Sequence, residues 1–302
     1  AYGNAGSLPW LEDDDLVLGY RSGKDAYAYP INVLDRHEIV SDVIGGQPVL
    51  ITYCPLCFSG AVYHRELDGR VLTFGNTSAL YQSDLVMYDH QTGSYWFQVA
   101  GEAVVGPLTG SRLDLLPSAT MVWGEWRNLY PDTRLLTGFA GAPDRFGSSQ
   151  YGRKFSGGYQ QQINNDRFAF PVDEAKLDDR LSSGEIVLTV EVGESAVAFP
   201  LGVIGNGAAN GDVGGQPVVV FARDLNRLAV AFSRVVGGQV LTFDYSDDEG
   251  NFVDRETGSV WDGGGLATSG ALVGAQLDQL NTRRAFWFSV AIAFPNIDVY
   301  RP

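Results

Sequence analysis

Cys54 and Cys57 are the only cysteines in the chain, and both sit in one short stretch, Tyr53-Cys54-Pro55-Leu56-Cys57. Two thiolates separated by two residues can grip a single ion from one tight turn, and a neutral imidazole can complete a trigonal or tetrahedral set. All three histidines, His37, His64 and His90, fall close to this pair in sequence. His37 is the preferred third metal ligand: it stands one strand upstream of the hairpin that ends at Cys54, so an antiparallel return can bring it to the cysteines. Its neighbour Glu38 suits three roles, as a fourth ligand, as the acceptor that orients the imidazole, or as a general base. Two thiolates and an imidazole favour copper, as Cu(I), with room left for a small ligand, whereas zinc, the second choice, normally wants a closed fourth position.

Other chemistries compete for the same pair. A thiol–disulfide or peroxide-reactive enzyme would use Cys54 and Cys57 directly, with His37 as the base that makes a thiolate. Thioredoxin-like activation needs a helix N-terminus at the pair, whereas Cys57 is followed by Phe58, Ser59, Gly60 and a strand pattern. A disulfide closing a loop of about four residues restrains the unfolded chain by roughly 2 kcal/mol, against about 4.7 for a hundred-residue loop, so a staple would be better placed elsewhere. A ligand-binding module with a structural zinc or disulfide is a further reading, its cleft lined by some of the fourteen Tyr and six Trp. Tyr53, Tyr81, Gln82 and Asp84 are candidates to line the site, and Asp84 can equally close a turn. His64 and His90 read as structural and turn residues, and Met87 as core.

The scaffold that must position these residues is written twice. "AYAYPI" at 26–31 returns as "AVAFPL" at 196–201, "GGQPVLI" at 45–51 as "GGQPVVV" at 214–220, and "RVLTF" at 70–74 as "QVLTF" at 239–243. "DHQTGSYW" at 89–96 then returns as "DRETGSVW" at 254–261, and "GSRLDLL" at 110–116 as "GAQLDQL" at 274–280. Ordered matches of this kind point to a duplication. Features held by both copies read as scaffold, and features held by one as candidates for function. By that control the cysteines and histidines belong to function, because the second copy has Arg223 and Asn226 at the cysteine positions, Ser233 at His64 and Arg255 at His90.

Local patterns give a mainly β chain, all-β to α+β, with two repeated β-rich lobes. Gly45-Gly46 and Asp68-Gly69 mark hairpins, and β-branched and aromatic residues fill the runs beside them. Each lobe is expected to end in one short helix, capped by Ser118 ahead of Pro131 in the first and by Thr282 ahead of Pro295 in the second. The division is residues 1–136 as the repeat carrying the site, 137–193 as a connector in which "RFAFPV" (167–172) forms a strand, and 194–302 as the repeat without the site.

Composition narrows the partners. The 302 residues are 45% hydrophobic, enough for substantial cores, and the net charge is −15 without any basic stripe, which repels nucleic acid and anionic membranes. No apolar run is long enough for a membrane span. Phosphate loops, Gly-x-Ser-x-Gly elbows and His-Glu-x-x-His helices are missing, so no nucleotide is expected. The partner is therefore a small molecule or a redox protein. The chain begins at Ala1, and removal of an export leader is the expectation, which would make the protein periplasmic or extracellular.

With "YPINVLDRHEIVSDVIGGQPVLITYCPLCFSGAVY", "LYQSDLVMYDHQTGSYW" and "GEAVVGPLTGSRLDLLPS" in view, the chain resembles the prokaryotic domain-of-unknown-function family 3179. The resemblance is close over the first copy and looser over the second. It implies a site at His37, Cys54 and Cys57, with His37-Glu38 part of the family's pattern, and it supports export, since members often look exported. It implies no activity. Two departures stand out: Phe58 where the family often has Gly, and Gln82 where it often has Asn.

Overall fold

The computed structural model describes residues 1–138, 158–224, 227–248 and 250–302. Asn226 and part of the 137–193 connector lie outside the described residues. The protein is mostly β, in several sheets. The largest sheet has eight strands. From one edge it runs Asp298–Val299, Ser195–Pro200, Ile186–Val192, Asn281–Phe286, Ser59–His64, Gln47–Cys54 and Ile39–Ile44, with Leu115–Leu116 added beside Ser59–His64. Strands from the two ends of the chain meet at its centre, where Arg284 is the partner of Gly60.

Segments matched in sequence adopt matching local structure. Leu16–Ser22 lies between Asp25–Pro30 and Ser118–Val122, and Ile186–Val192 lies in the same way between Ser195–Pro200 and Asn281–Phe286. Gly45-Gly46 turns with φ of 58° and 82°, and Gly214-Gly215 with 59° and 83°. Both residues of such a two-residue turn are left-handed, a conformation that glycine adopts without a Cβ clash. Each turn feeds an eight-residue strand, Gln47–Cys54 or Gln216–Arg223. Further on, the buried Asp89 accepts a hydrogen bond from the Trp96 indole at 3.0 Å and the buried Asp254 from the Trp261 indole at 2.9 Å. Thr92 and Thr257 donate to the same carboxylates at 2.8 and 2.9 Å. The copies thus share the bonds that make a buried carboxylate tolerable.

The cores are not divided between the copies. One buried cluster joins Leu50, Tyr53, Cys54 and Cys57 to Leu188, Val190, Phe199 and Phe286, and a second joins Trp123 and Trp126 to Phe221, Phe252 and Trp261. Five of the six tryptophans are almost fully buried. Removing one such ring typically costs about 3–5 kcal/mol, so the shared clusters hold the two halves of the chain together.

Several local expectations need correction. Ser118 and Thr282 do not cap helices; each lies in a strand, Ser118–Val122 or Asn281–Phe286, and the helices begin only afterwards, at Trp123–Leu129 and Trp287–Ala293. The two hydroxyls instead bind each other's backbone: Thr282 donates to the Ser118 carbonyl at 2.9 Å and Ser118 to the Thr282 carbonyl at 3.5 Å. Buried strands won because Ser118–Val122 and Thr282 to Phe286 are buried at every position, with Ala119, Met121, Ala285 and Phe286 in the core. Residues 167–172 are not a strand; Phe170 is 47% exposed, while Phe168, against Phe288, and Val172 pack on the core. More helices form than expected: Ile31–His37, Gln160–Asn164 and Leu201–Ile204 are also helical. Among the described residues no helix is long and apolar enough to cross a membrane.

Candidate metal centre

Gln47–Cys54 and Ser59–His64 form a hairpin in which Cys54 is the register partner of Ser59, so Pro55 to Phe58 make the turn and Cys57 folds back toward Cys54. The turn closes through Phe58, whose φ of 57° is left-handed. A bulky residue is strained there. Its surroundings hold it: Phe286 stacks on it at 5.6 Å, Tyr53 meets it edge-on at 6.2 Å, and the buried Arg284 guanidinium lies 4.9 Å from its ring centre. The Cys57 carbonyl accepts the Phe286 N–H at 2.8 Å, which ties the turn to the central strand of the largest sheet.

A second hairpin supplies the third group. Gln82 and Ser83, with φ of 53° and 59°, connect Phe74–Tyr81 to Asp84–Asp89, and Asp84 opens the returning strand. Its carboxylate receives the Leu85 N–H at 2.7 Å, the Val99 N–H at 3.3 Å and the Cys57 thiol at 2.8 Å. One ligand atom from each of Cys54, Cys57 and Asp84 lies within 4.8 Å of the others, and each residue is no more than 1% exposed. Both thiols are free.

Electrostatics favour the neutral forms of this cluster. Burial pushes the Cys54 thiol up, and it pushes Cys57 well up, helped by hydrogen bonding to Cys54 and by the nearby Asp84 charge. Burial also raises the Asp84 carboxyl, although hydrogen bonds from both thiols and two backbone amides pull the other way. Burial is the main reason each group resists its charged form, and for the two thiols the nearby Asp84 charge adds to it. A cation reverses that balance and stabilises all three as anions.

None of the other sequence candidates belongs to this group. His37 is not on a strand; it ends the Ile31–His37 helix, half-buried, and burial with the adjacent Arg36 lowers its pKa. Glu38 follows in a left-handed conformation, φ 54°, and its carbonyl accepts the Tyr53 N–H at 2.9 Å. Its carboxyl is pushed up to about 7 by burial, by Asp84 and by Asp35, and the Asn76 side chain donates to it. Tyr53 is buried beside the turn. At the rim, the Tyr81 hydroxyl accepts from Lys176 at 2.7 Å, and the Gln82 side chain accepts the Asp173 N–H at 2.7 Å. His64 partners Val49, far along the hairpin from Cys54, and His90 is exposed and tilted against Tyr88.

Two residues at the site had no part in the sequence reading. Ser59 lies with its hydroxyl 3.0 Å from the Cys57 sulfur, and Gln98, fully buried, contacts that hydroxyl at 2.5 Å. The repeat control could have flagged Ser59, because its counterpart is Leu228. Backbone strain gathers here as well: of nine described non-glycine residues with positive φ, Glu38, Phe58, Gln82 and Ser83 flank the group or its rim. Such strain persists only where surrounding contacts impose it, and it concentrates at functional sites.

Comparison with curated proteins and with solved structures found no match for the chain. A family model does match, over residues 2–297, under the description "Protein of unknown function (DUF3179)". The chain therefore belongs to this family, and the Cys54, Cys57 and Asp84 cluster lies within the matched region.

Proposed function

We propose that the chain is a metalloprotein with one mononuclear site, in which the thiolates of Cys54 and Cys57 and the carboxylate of Asp84 hold a cation that serves small-ligand or redox chemistry. The observation that carries the reading is the mutual approach, within 4.8 Å, of three buried groups that each bind cations as anions. A carboxylate in the set moves the preference from copper toward zinc, since Cu(I) favours sulfur and imidazole while Zn(II) accepts thiolate and carboxylate together. On this reading Asp84 takes the place expected for His37. Glu38, half-buried and electrostatically coupled to Asp84, is the nearby group suited to accept or donate a proton near neutral pH. Export to the periplasm or beyond belongs to the same proposal and rests on the family resemblance; cell fractionation checks it.

The test is metal analysis of protein purified without chelator. Near-stoichiometric zinc or copper in the parent and in His37→Ala, lost in Cys57→Ser and Asp84→Asn, is the expected pattern. Metal that survives Cys57→Ser would sink the assignment. A metal-free thiol enzyme is disfavoured, because both thiols are buried and shifted away from the reactive thiolate. Rapid reaction of the metal-free protein with small disulfides would restore that alternative.

A further inference from the structure

The contact between Ser59 and Cys57 contains an imbalance of hydrogens. Gln98 donates through its Nε2 to the Ser59 carbonyl at 3.4 Å, which turns its Oε1 toward the Ser59 hydroxyl. A carbonyl oxygen can only accept, so the single hydroxyl proton of Ser59 points at Gln98. The Cys57 proton is likewise directed at Asp84. While that proton points at Asp84, the Ser59 oxygen and the Cys57 sulfur, 3.0 Å apart, face each other with lone pairs alone. Buried acceptors without a donor between them are costly, and a cation relieves them.

The second copy removes both halves of this arrangement. Leu228 stands at the Ser59 position and Arg223 at the Cys54 position, each the register partner of the other, as Ser59 is of Cys54. The serine thus occurs where the thiols occur and gives way to a buried hydrocarbon where they do not.

We infer that Ser59 is the fourth ligand of the ion, its neutral hydroxyl oxygen completing a two-sulfur, two-oxygen set with Cys54, Cys57 and Asp84, and that Gln98 is the residue that positions it. The inference rests on the metal reading above and deepens it. On binding, both thiols lose their protons to solvent, Asp84 binds as carboxylate, and Ser59 keeps its proton on the Gln98 side. A neutral hydroxyl is the weakest of the four donors, so this is the position that an incoming small anion displaces.

Cadmium is the probe, because each thiolate bound to it adds near-ultraviolet charge-transfer absorbance. In the full chain, Ser59→Cys should raise the absorbance per bound cadmium about 1.5-fold, the ratio of three thiolates to two, if position 59 reaches the ion. Ser59→Ala, nearly isosteric, should keep the two-thiolate absorbance and bind cadmium roughly tenfold more weakly, as should Gln98→Leu. A parent that binds cadmium with two-thiolate absorbance, together with a Ser59→Cys protein showing no increase, overturns the role of Ser59 and leaves the three-residue site standing. A parent that binds no cadmium removes the metal reading, and this inference with it.

Discussion

The hairpin ends at Cys54 and Arg223 occupy equivalent places in the two copies, and they are closed in opposite ways. In the first copy the strand runs into two thiols facing a buried carboxylate. In the second, Arg223 extends from the same strand position and donates to the Gly250 carbonyl and to Glu125, both at 2.5 Å. Gly250 is the counterpart of Leu85, so both ends reach across to the start of the same returning hairpin strand. One end satisfies itself with a built-in cation. The other end contributes thiols in place of a charged side chain and brings them against a buried carboxylate, and that difference sets the two ends apart.

The comparison can be broken most directly by deleting each end in turn. Cys54→Ala should weaken zinc or cadmium binding by roughly a thousandfold, since metal binding carries much of its free energy in the thiolates. Arg223→Ala should leave that affinity unchanged, by titration against a chromophoric chelator. Its effect should appear in urea unfolding as a loss of about 2–3 kcal/mol, because Glu125 and the Gly250 carbonyl are left partly buried without their partner. Equal metal affinity in the two variants would erase the distinction. Smaller and symmetric effects are expected where the copies agree. Asp89→Asn and Asp254→Asn should each cost about 1–3 kcal/mol, and a marked inequality would show that the two turns do different work.

The subtlest test is the pH dependence. In the metal-free protein, Asp84, Cys54 and Cys57 have folded pKa values raised above their unfolded ones. Their contribution to stability is full below the unfolded values and is lost as pH rises through the folded ones. Metal-free protein should therefore lose part of its stability as pH climbs from the carboxylate range into the thiol range. With saturating zinc the slope should reverse, since the ion binds the deprotonated groups and must displace protons at low pH. Parallel slopes with and without zinc would mean that these groups are not its ligands.

Much of the scaffold was readable because its signals are local. Gly45-Gly46, Asp68-Gly69 and the alternating runs beside them become the hairpins they imply. The cysteine pair was readable for the same reason, its spacing being set within one turn. Asp84 was read as a lining or turn-closing residue and not as a partner of the cysteine pair, because its approach to Cys57 depends on how two hairpins pack. No spacing rule encodes that. The place of His37 was not readable because "INVLDRH" forms a short helix after Pro30, burying Ile31 to Leu34 and leaving His37 at its end. Ser118 and Thr282 resemble caps in sequence, but their strands are claimed by the core before the helices begin. The two departures from the family pattern, Phe58 and Gln82, both fall at left-handed positions. Gly and Asn fit there with less strain, so the sequence had marked two turns of the site without revealing what they enclose.

The bond from the Phe286 amide to the Cys57 carbonyl also sets an order of events during synthesis. At about 5–20 residues per second, roughly ten to fifty seconds separate the making of Cys57 from the making of Phe286. Through that interval the turn lacks its neighbour from the largest sheet, and the thiols have no finished pocket to shield them. Anything that reacts with these thiols meets either an unfinished chain that leaves them open or a completed one that has closed over them.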